Sequence, residues 1–91
     1  MTEQAIRETH DIRLKRLTMR SMRRGTKEMD ILLMRFAEAR LAALDPAALD
    51  AYEALLDEND QDLYQWISGQ RPAPAAHAPL IAEIASVAGN R

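Results

Sequence analysis

The chain contains no cysteine in its 91 residues. That excludes disulfides, thiolate catalysis and cysteine-ligated zinc or iron–sulfur sites. Glycine occurs only three times, so there is no glycine-rich phosphate loop and no dinucleotide fingerprint. The two histidines, His10 and His77, lie in different segments with no acids at metal-ligand spacing around them, and a general base needs positioned partners. No apolar run approaches the roughly 20 residues that cross a bilayer. Neighbouring carboxylates such as Asp57-Glu58 or Asp60 with Asp62 are accounted for as helix-end and capping acids. These absences point away from an enzyme. Sustained period-2 alternation and β-branched residues are also scarce, which argues against strands.

Aromatics make up 4% of the chain, so any core must be built from Leu, Ile, Met and Ala. Hydrophobic residues reach 47%, enough for one modest core and a single domain over residues 1–91. The first ten residues are polar and carry Glu3 and Glu8. They resemble neither a signal peptide nor an arginine-rich transit peptide, and a cytoplasmic protein is the expectation.

The net charge of -2 hides an asymmetry. Arg7, Arg13, Lys15, Arg16, Arg20, Arg23, Arg24 and Lys27 crowd the N-terminal third, against only Glu8 and Asp11. From Asp45 to Trp66 the chain carries seven acids and no Lys or Arg. Two readings follow: solvated faces that attract each other weakly, or a bipolar surface that orients a larger partner.

Apolar spacing predicts an all-α fold of five helices. The first covers about Thr9 to Arg23, with His10, Leu14, Leu17 and Ser21 at helical spacing, and Gly25 is read as its stop. The second covers about Thr26 to Ala43. Met29, Leu32, Leu33, Phe36, Ala37, Leu41 and Leu44 form its stripe, and Ile31 and Met34 fall off it. That helix is expected to be central. Asp45-Pro46 opens a third, to about Asp57, burying Leu49, Tyr52, Leu55 and Leu56. A short fourth begins at Asn59 or Asp60 and ends near Ser68, with Leu63, Trp66 and Ile67 inward and Gly69 as the stop. The helical core is thus about 9–69. Residues 70–78 form a proline- and alanine-rich linker expected to be extended and without packing. A short last helix covers about 79–88.

The most informative segment is Arg23-Arg24-Gly25-Thr26-Lys27-Glu28-Met29-Asp30 at the joint between the first two helices. Both signs of charge on a turn suit a docking surface. Capping explains the same residues, with Gly25 as a C-cap, Arg24 as a dipole partner and Glu28 reaching back at a helix start. On the residues alone both readings stand. For Trp66, beside Leu63 and Ile67, a core position is the stronger reading.

Arg23-Arg24-Gly25-x-x-Glu28-Met29-Asp30-Ile31, then Met34-x-Phe36, then Asp60-x-Asp62-Leu63-Tyr64-x-Trp66-Ile67, resembles the SdhE-type family of succinate dehydrogenase assembly factors. The likeness runs from about Leu14 to Gly69 in one order and spacing. Thr26 and Lys27 depart from it where a bulky residue often follows the glycine, and Met29 stands for the commoner leucine. The resemblance implies a five-helix bundle that is not an enzyme. It would bind the flavoprotein subunit of succinate dehydrogenase and, in some bacteria, that of fumarate reductase. Binding would promote covalent attachment of FAD to a histidine of that subunit, while no FAD is held stably by the chain itself. Nucleic acid and membrane insertion are not part of that picture. The partner-binding residues implied are Arg23, Arg24, Gly25, Glu28 and Asp30. Gly25 would allow close backbone approach, Glu28 would reach toward the flavin-linked histidine, and Arg23 and Arg24 would bind carboxylates or carbonyls. Asp30 would order the turn. Asp60, Asp62 and Trp66 would hold the fourth helix against the second, with some rim contact. The alternative from the basic first helix is a small nucleic-acid-binding or regulatory module. Against it stand the acidic balance of the whole chain and the lack of aromatic residues in the basic segment.

Overall fold

The computed structural model describes residues 8–89, and the polar segment before Glu8 lies outside them. Five α-helices follow one another: α1 (His10–Ser21), α2 (Lys27–Arg40), α3 (Pro46–Leu56), α4 (Asp60–Ile67) and α5 (Ala78–Gly89), with one 3-10 turn at Leu41–Ala43 after α2. The architecture is all-α, and no strand occurs among the described residues. Four helix starts are set by side-chain caps. Thr9, Thr26, Asp45 and Asn59 each accept a hydrogen bond from the backbone N–H three residues on, at 3.1, 3.3, 2.8 and 2.8 Å. Each satisfies one of the donors that a helix leaves unpaired at its N-terminus.

Helix α2 is the centre, packing against α1, α4 and α5. Its Met29, Leu33, Phe36 and Ala37 are buried, as is Leu41 in the turn that follows. Ile31 stays exposed, so the second apolar side expected of this helix is only partly used. Leu17 from α1, Leu49, Tyr52, Leu55 and Leu56 from α3, Leu63 and Trp66 from α4, and Leu80, Ile81 and Ile84 from α5 complete one contiguous cluster. The rings of Phe36 and Tyr52 meet at 5.4 Å between centroids. Tyr52 also carries a polar link through this core. Its hydroxyl meets Ser21 Oγ, and Ser21 donates to the Leu17 carbonyl at 2.8 Å.

The charge asymmetry is largely consumed inside the chain. Arg13 of α1 reaches Asp50 at 2.6 Å and Glu53 at 3.1 Å, Arg16 reaches Glu53 at 2.7 Å, and Arg20 reaches Asp57 at 3.0 Å. Arg16 also grips Glu8. Hydrogen bonds from Arg16 hold the carboxyls of Glu53 and Glu8 below the usual glutamate value. Pairs at the surface add little stability, so they fix how α1 lies on α3 more than they stabilise it.

Two expectations need correction. Gly25 does not close α1, because the helix ends at Ser21 with Met22 as its C-cap. Gly25 belongs instead to the loop, in a left-handed conformation. Residues 70–78 are mostly exposed but are anchored to the bundle at two points. Ala73 lies against the core and His77 is buried. The His77 ring stacks near Trp66 at 5.8 Å, and its Nε2 meets Glu58 Oε2 at 3.0 Å. The last helix, whose docking the sequence left open, packs on α2 and α4, and Arg35 donates to the Ala88 carbonyl near its C-terminus.

Candidate functional site

The joint between α1 and α2 is a five-residue loop, Met22 to Thr26, fixed from behind by Arg24. The Arg24 backbone N–H donates to Asp30 Oδ1 at 2.8 Å, which ties the loop to the first turn of α2. Its guanidinium enters the fold. Nε pairs with Asp60 Oδ1 at 2.7 Å, and the two terminal nitrogens donate to the carbonyls of Leu56 and Glu58. Arg24 and Asp60 are 10% and 14% exposed, so the pair is largely desolvated. Three acceptors around one planar cation suit arginine and not lysine. The cation also sits at the C-terminal end of α3, where the helix dipole is negative.

Gly25 follows at φ +111° and is exposed. A side chain there is strained whatever the space. A Cβ would meet Asp60 Oδ2 at an ordinary 3.9 Å, so backbone conformation rather than crowding requires glycine. Glu28 comes next, in the first turn of α2 and exposed. It is the second residue after the Thr26 cap, and Thr26 bonds Met29 instead, so the reciprocal capping arrangement is not made. Among the described residues no hydrogen bond or ion pair holds the Glu28 carboxylate.

Glu28 lines a groove of about 360 Å³ between the start of α2 and the outer face of α4, with Thr26, Met29, Asp60, Gln61, Tyr64, Gln65 and Gln70. Three side-chain amides, a phenol and two carboxylates give this groove dense hydrogen-bonding capacity. Among the described residues no group of histidines and acids is arranged to hold a metal.

The structure therefore sorts the expected residues. Glu28 lines the groove, Gly25 immediately precedes its lining residue Thr26, and Arg23 is exposed in the same loop. Asp30 orders the turn. Arg24 and Asp60 form the clamp beneath it, so the guanidinium expected to reach a partner's carboxylates is engaged within the chain. Asp62 binds Arg71 at 2.7 Å and Asn59 at 3.1 Å, pinning the start of the 70–78 stretch to α4. Trp66 is core. Sequence reasoning gave no role to Tyr64, Gln61 or Gln65. Their spacing of three and four opposite Leu63, Trp66 and Ile67 already marks them as one outward face. An exposed aromatic among glutamines is the signal on that face.

The described residues thus form a small helical bundle with a clamped loop beside a polar groove. Residues 15–88 match the family described as flavinator of succinate dehydrogenase. The chain belongs to that family, one of assembly factors rather than of enzymes. Among its relatives is the succinate dehydrogenase assembly factor 2, mitochondrial, of Schizosaccharomyces pombe. It is 43% identical over 67 residues, which are 74% of this chain and 48% of that one. Those of Mycosarcoma maydis and Scheffersomyces stipitis are 39% identical over 71 residues and 48% over 59. They cover 78% and 65% of this chain, and 30% and 40% of the relatives. The chain thus spans half or less of the length of these curated relatives. Their names correct one expectation: they are mitochondrial proteins, which overturns the assignment to the cytoplasm. That assignment rested on the absence of a recognisable targeting signal, which does not specify a compartment.

Proposed function

We propose that this chain binds the flavoprotein subunit of succinate dehydrogenase through the Gly25–Glu28 edge and promotes covalent attachment of FAD there. The observation that carries the reading is the clamp. Arg24, Asp30 and Asp60 hold the loop rigidly while Gly25 and Glu28 are left facing solvent. Such a loop loses little entropy on binding, so more of its contact energy appears as affinity. Membership in the flavinator family supplies the client.

FAD belongs to the partner in this reading. Its pyrophosphate would meet the carboxylates of Glu28 and Asp60 in the groove, an arrangement that repels a dianion. The flavin and the partner's histidine supply the bond-forming chemistry. This chain contributes position. Gly25 lets its backbone lie against the partner, Glu28 orients a donor near the acceptor histidine, and Tyr64 with the glutamines completes the contact. The factor works only through tighter binding to the attachment-competent state, since equal binding to both states shifts nothing. A preference of about 1.4 kcal/mol is a tenfold gain in that state.

The test is covalent flavin in the succinate dehydrogenase flavoprotein, read as fluorescence of the denatured subunit in a gel. Wild type restores the band in cells lacking the factor. Glu28→Ala and Gly25→Arg do not, while Glu28→Ala keeps wild-type helicity and unfolding midpoint. A folded Glu28→Ala protein that supports full flavinylation removes Glu28 from the mechanism. The fumarate reductase flavoprotein, run beside it, shows whether a second client is served.

A further inference from the structure

The outward face of α1 is not used by the reading above. Ile12, Lys15, Met19 and Met22 follow one another at three- and four-residue spacing along it. Ile12, Met19 and Met22 are 55%, 42% and 43% exposed, three of the most exposed large apolar side chains in the described structure. A shallow groove of about 620 Å³ runs along this face, lined by Ile12, Met19, Lys15 and the arginines 16, 20, 23 and 24. Arg16, Arg20 and Arg24 are neutralised by Glu53, Asp57 and Asp60. Lys15 and Arg23 have no acidic partner among the described residues. The face therefore combines an apolar stripe about three turns long with two uncompensated positive charges. It runs directly into the loop that carries Gly25.

We propose that this face docks a helical segment of the client polypeptide that presents an apolar stripe flanked by acidic residues. The proposal rests on the reading that the client is a flavoprotein subunit, and it adds a second contact to the Gly25–Glu28 edge. Charge selects the occupant. A second copy of this chain, packed symmetrically through α1, would set Lys15 and Arg23 against their own counterparts. A flat anionic bilayer would also press on Asp50 of neighbouring α3 and on Asp57 at its C-cap, both 73% exposed. Surface-bound basic helices typically muster four or more unpaired cations. A single narrow helix reaches the apolar stripe and the two cations and leaves the α3 acids outside. Methionine suits such a groove because its flexible thioether repacks around a partner's side chains.

The experiment uses the full chain with a photoreactive residue in place of Met19, and separately in place of Glu28, mixed with the purified succinate dehydrogenase flavoprotein. Crosslinked peptides are mapped by mass spectrometry. Affinity is measured for wild type, Lys15→Glu and Ile12→Ser/Met19→Ser, with circular dichroism confirming helicity. The expected result is a Met19 crosslink to an acidic, helical peptide of the flavoprotein. Lys15→Glu weakens binding roughly 3- to 10-fold, and about 0.5 M salt largely removes that difference. Ile12→Ser/Met19→Ser weakens it roughly tenfold in a way salt does not erase. If the serine pair lowers helicity, Lys15→Glu alone decides. A crosslink from position 28 but none from position 19, with unchanged affinity in both variants, overturns the α1 docking while leaving the proposed function standing. No binding by wild type overturns both. Co-sedimentation with phosphatidylglycerol vesicles that Lys15→Glu abolishes, or a dimer that the serine pair dissolves, overturns it in favour of lipid or of self-association.

Discussion

Replacing Arg24 by alanine tests whether the loop clamp holds the fold as well as the site. The guanidinium has three acceptors: Asp60, the Leu56 carbonyl and the Glu58 carbonyl. With Arg24 gone, Asp60 keeps a carboxylate that is 14% exposed and has lost its counter-charge. Breaking a buried pair from one side costs about 3–5 kcal/mol, because the remaining charge stays desolvated. Each stranded carbonyl adds about 1 kcal/mol where water cannot reach it, and less where it can. The lower end, about 3 kcal/mol, is the better figure for a pair still touching solvent. Arg20 provides the internal comparison. It binds Asp57, which is 73% exposed, and Arg20→Ala should cost under about 1 kcal/mol. A domain of this size has roughly 5–14 kcal/mol in total, so Arg24→Ala removes about a fifth to three fifths of it. Urea unfolding followed by circular dichroism gives both numbers. Arg24→Ala combined with Asp60→Asn should lose less than the two singles summed, since no unpaired charge then remains. Arg24→Lys should recover only part, because an ammonium cannot span three acceptors in one plane. Equal and small losses for Arg24→Ala and Arg20→Ala would refute the clamp.

Two further outcomes follow from the core and from the α1–α3 contact. Burial pushes the Tyr52 phenol up from its ordinary value, which keeps it neutral, and Ser21 is its partner. Tyr52→Phe should cost about 1 kcal/mol, since Ser21 keeps its bond to Leu17. Ser21→Ala should cost more, roughly 1–3 kcal/mol, because it strands a buried hydroxyl. The reverse order in thermal denaturation would show that Ser21 is not the partner that matters. For pH, the folded Glu53 carboxyl lies below its unfolded value of 4.5, chiefly through the hydrogen bond from Arg16. Its contribution is complete above about pH 4.5 and is lost as pH falls through the depressed folded value. The melting midpoint should drop through that range, and Glu53→Gln should flatten the drop. An identical pH profile in Glu53→Gln would remove Glu53 from the acid sensitivity.

Much of the fold is legible locally. Thr9, Thr26, Asp45 and Asn59 act as caps, and the apolar spacing names nearly every buried residue of the first four helices. A cap and a helical stripe are both decided within a few residues, so sequence carries them. The site is only half legible. Asp30 as the residue that orders the turn could be read, because it lies six positions from Arg24. The guanidinium of Arg24 could not, because Asp60 and the two carbonyls lie 32 to 36 residues away. Exposure was the natural expectation for an arginine in a charged loop. The 70–78 stretch failed for a similar reason. Alanine, proline and one histidine carry no periodic signal, yet Trp66 and Glu58 offer His77 a ring and a carboxylate from across the bundle.

By itself the sequence determined that this is an all-helical chain, that it carries no cysteine chemistry, and that the joint around Gly25 is its most informative segment. Helix propensity, capping and glycine's access to positive φ are properties of short segments. Only the tertiary structure decided which charges are left for a partner. Packing α1 on α3 and α4 beneath the loop cancels most of the basic helix against the acidic middle. Among the described residues it leaves Glu28, Lys15, Arg23 and Lys27 without an ion-pair partner, because the charge of a side chain is local while its neutralisation depends on what folds against it.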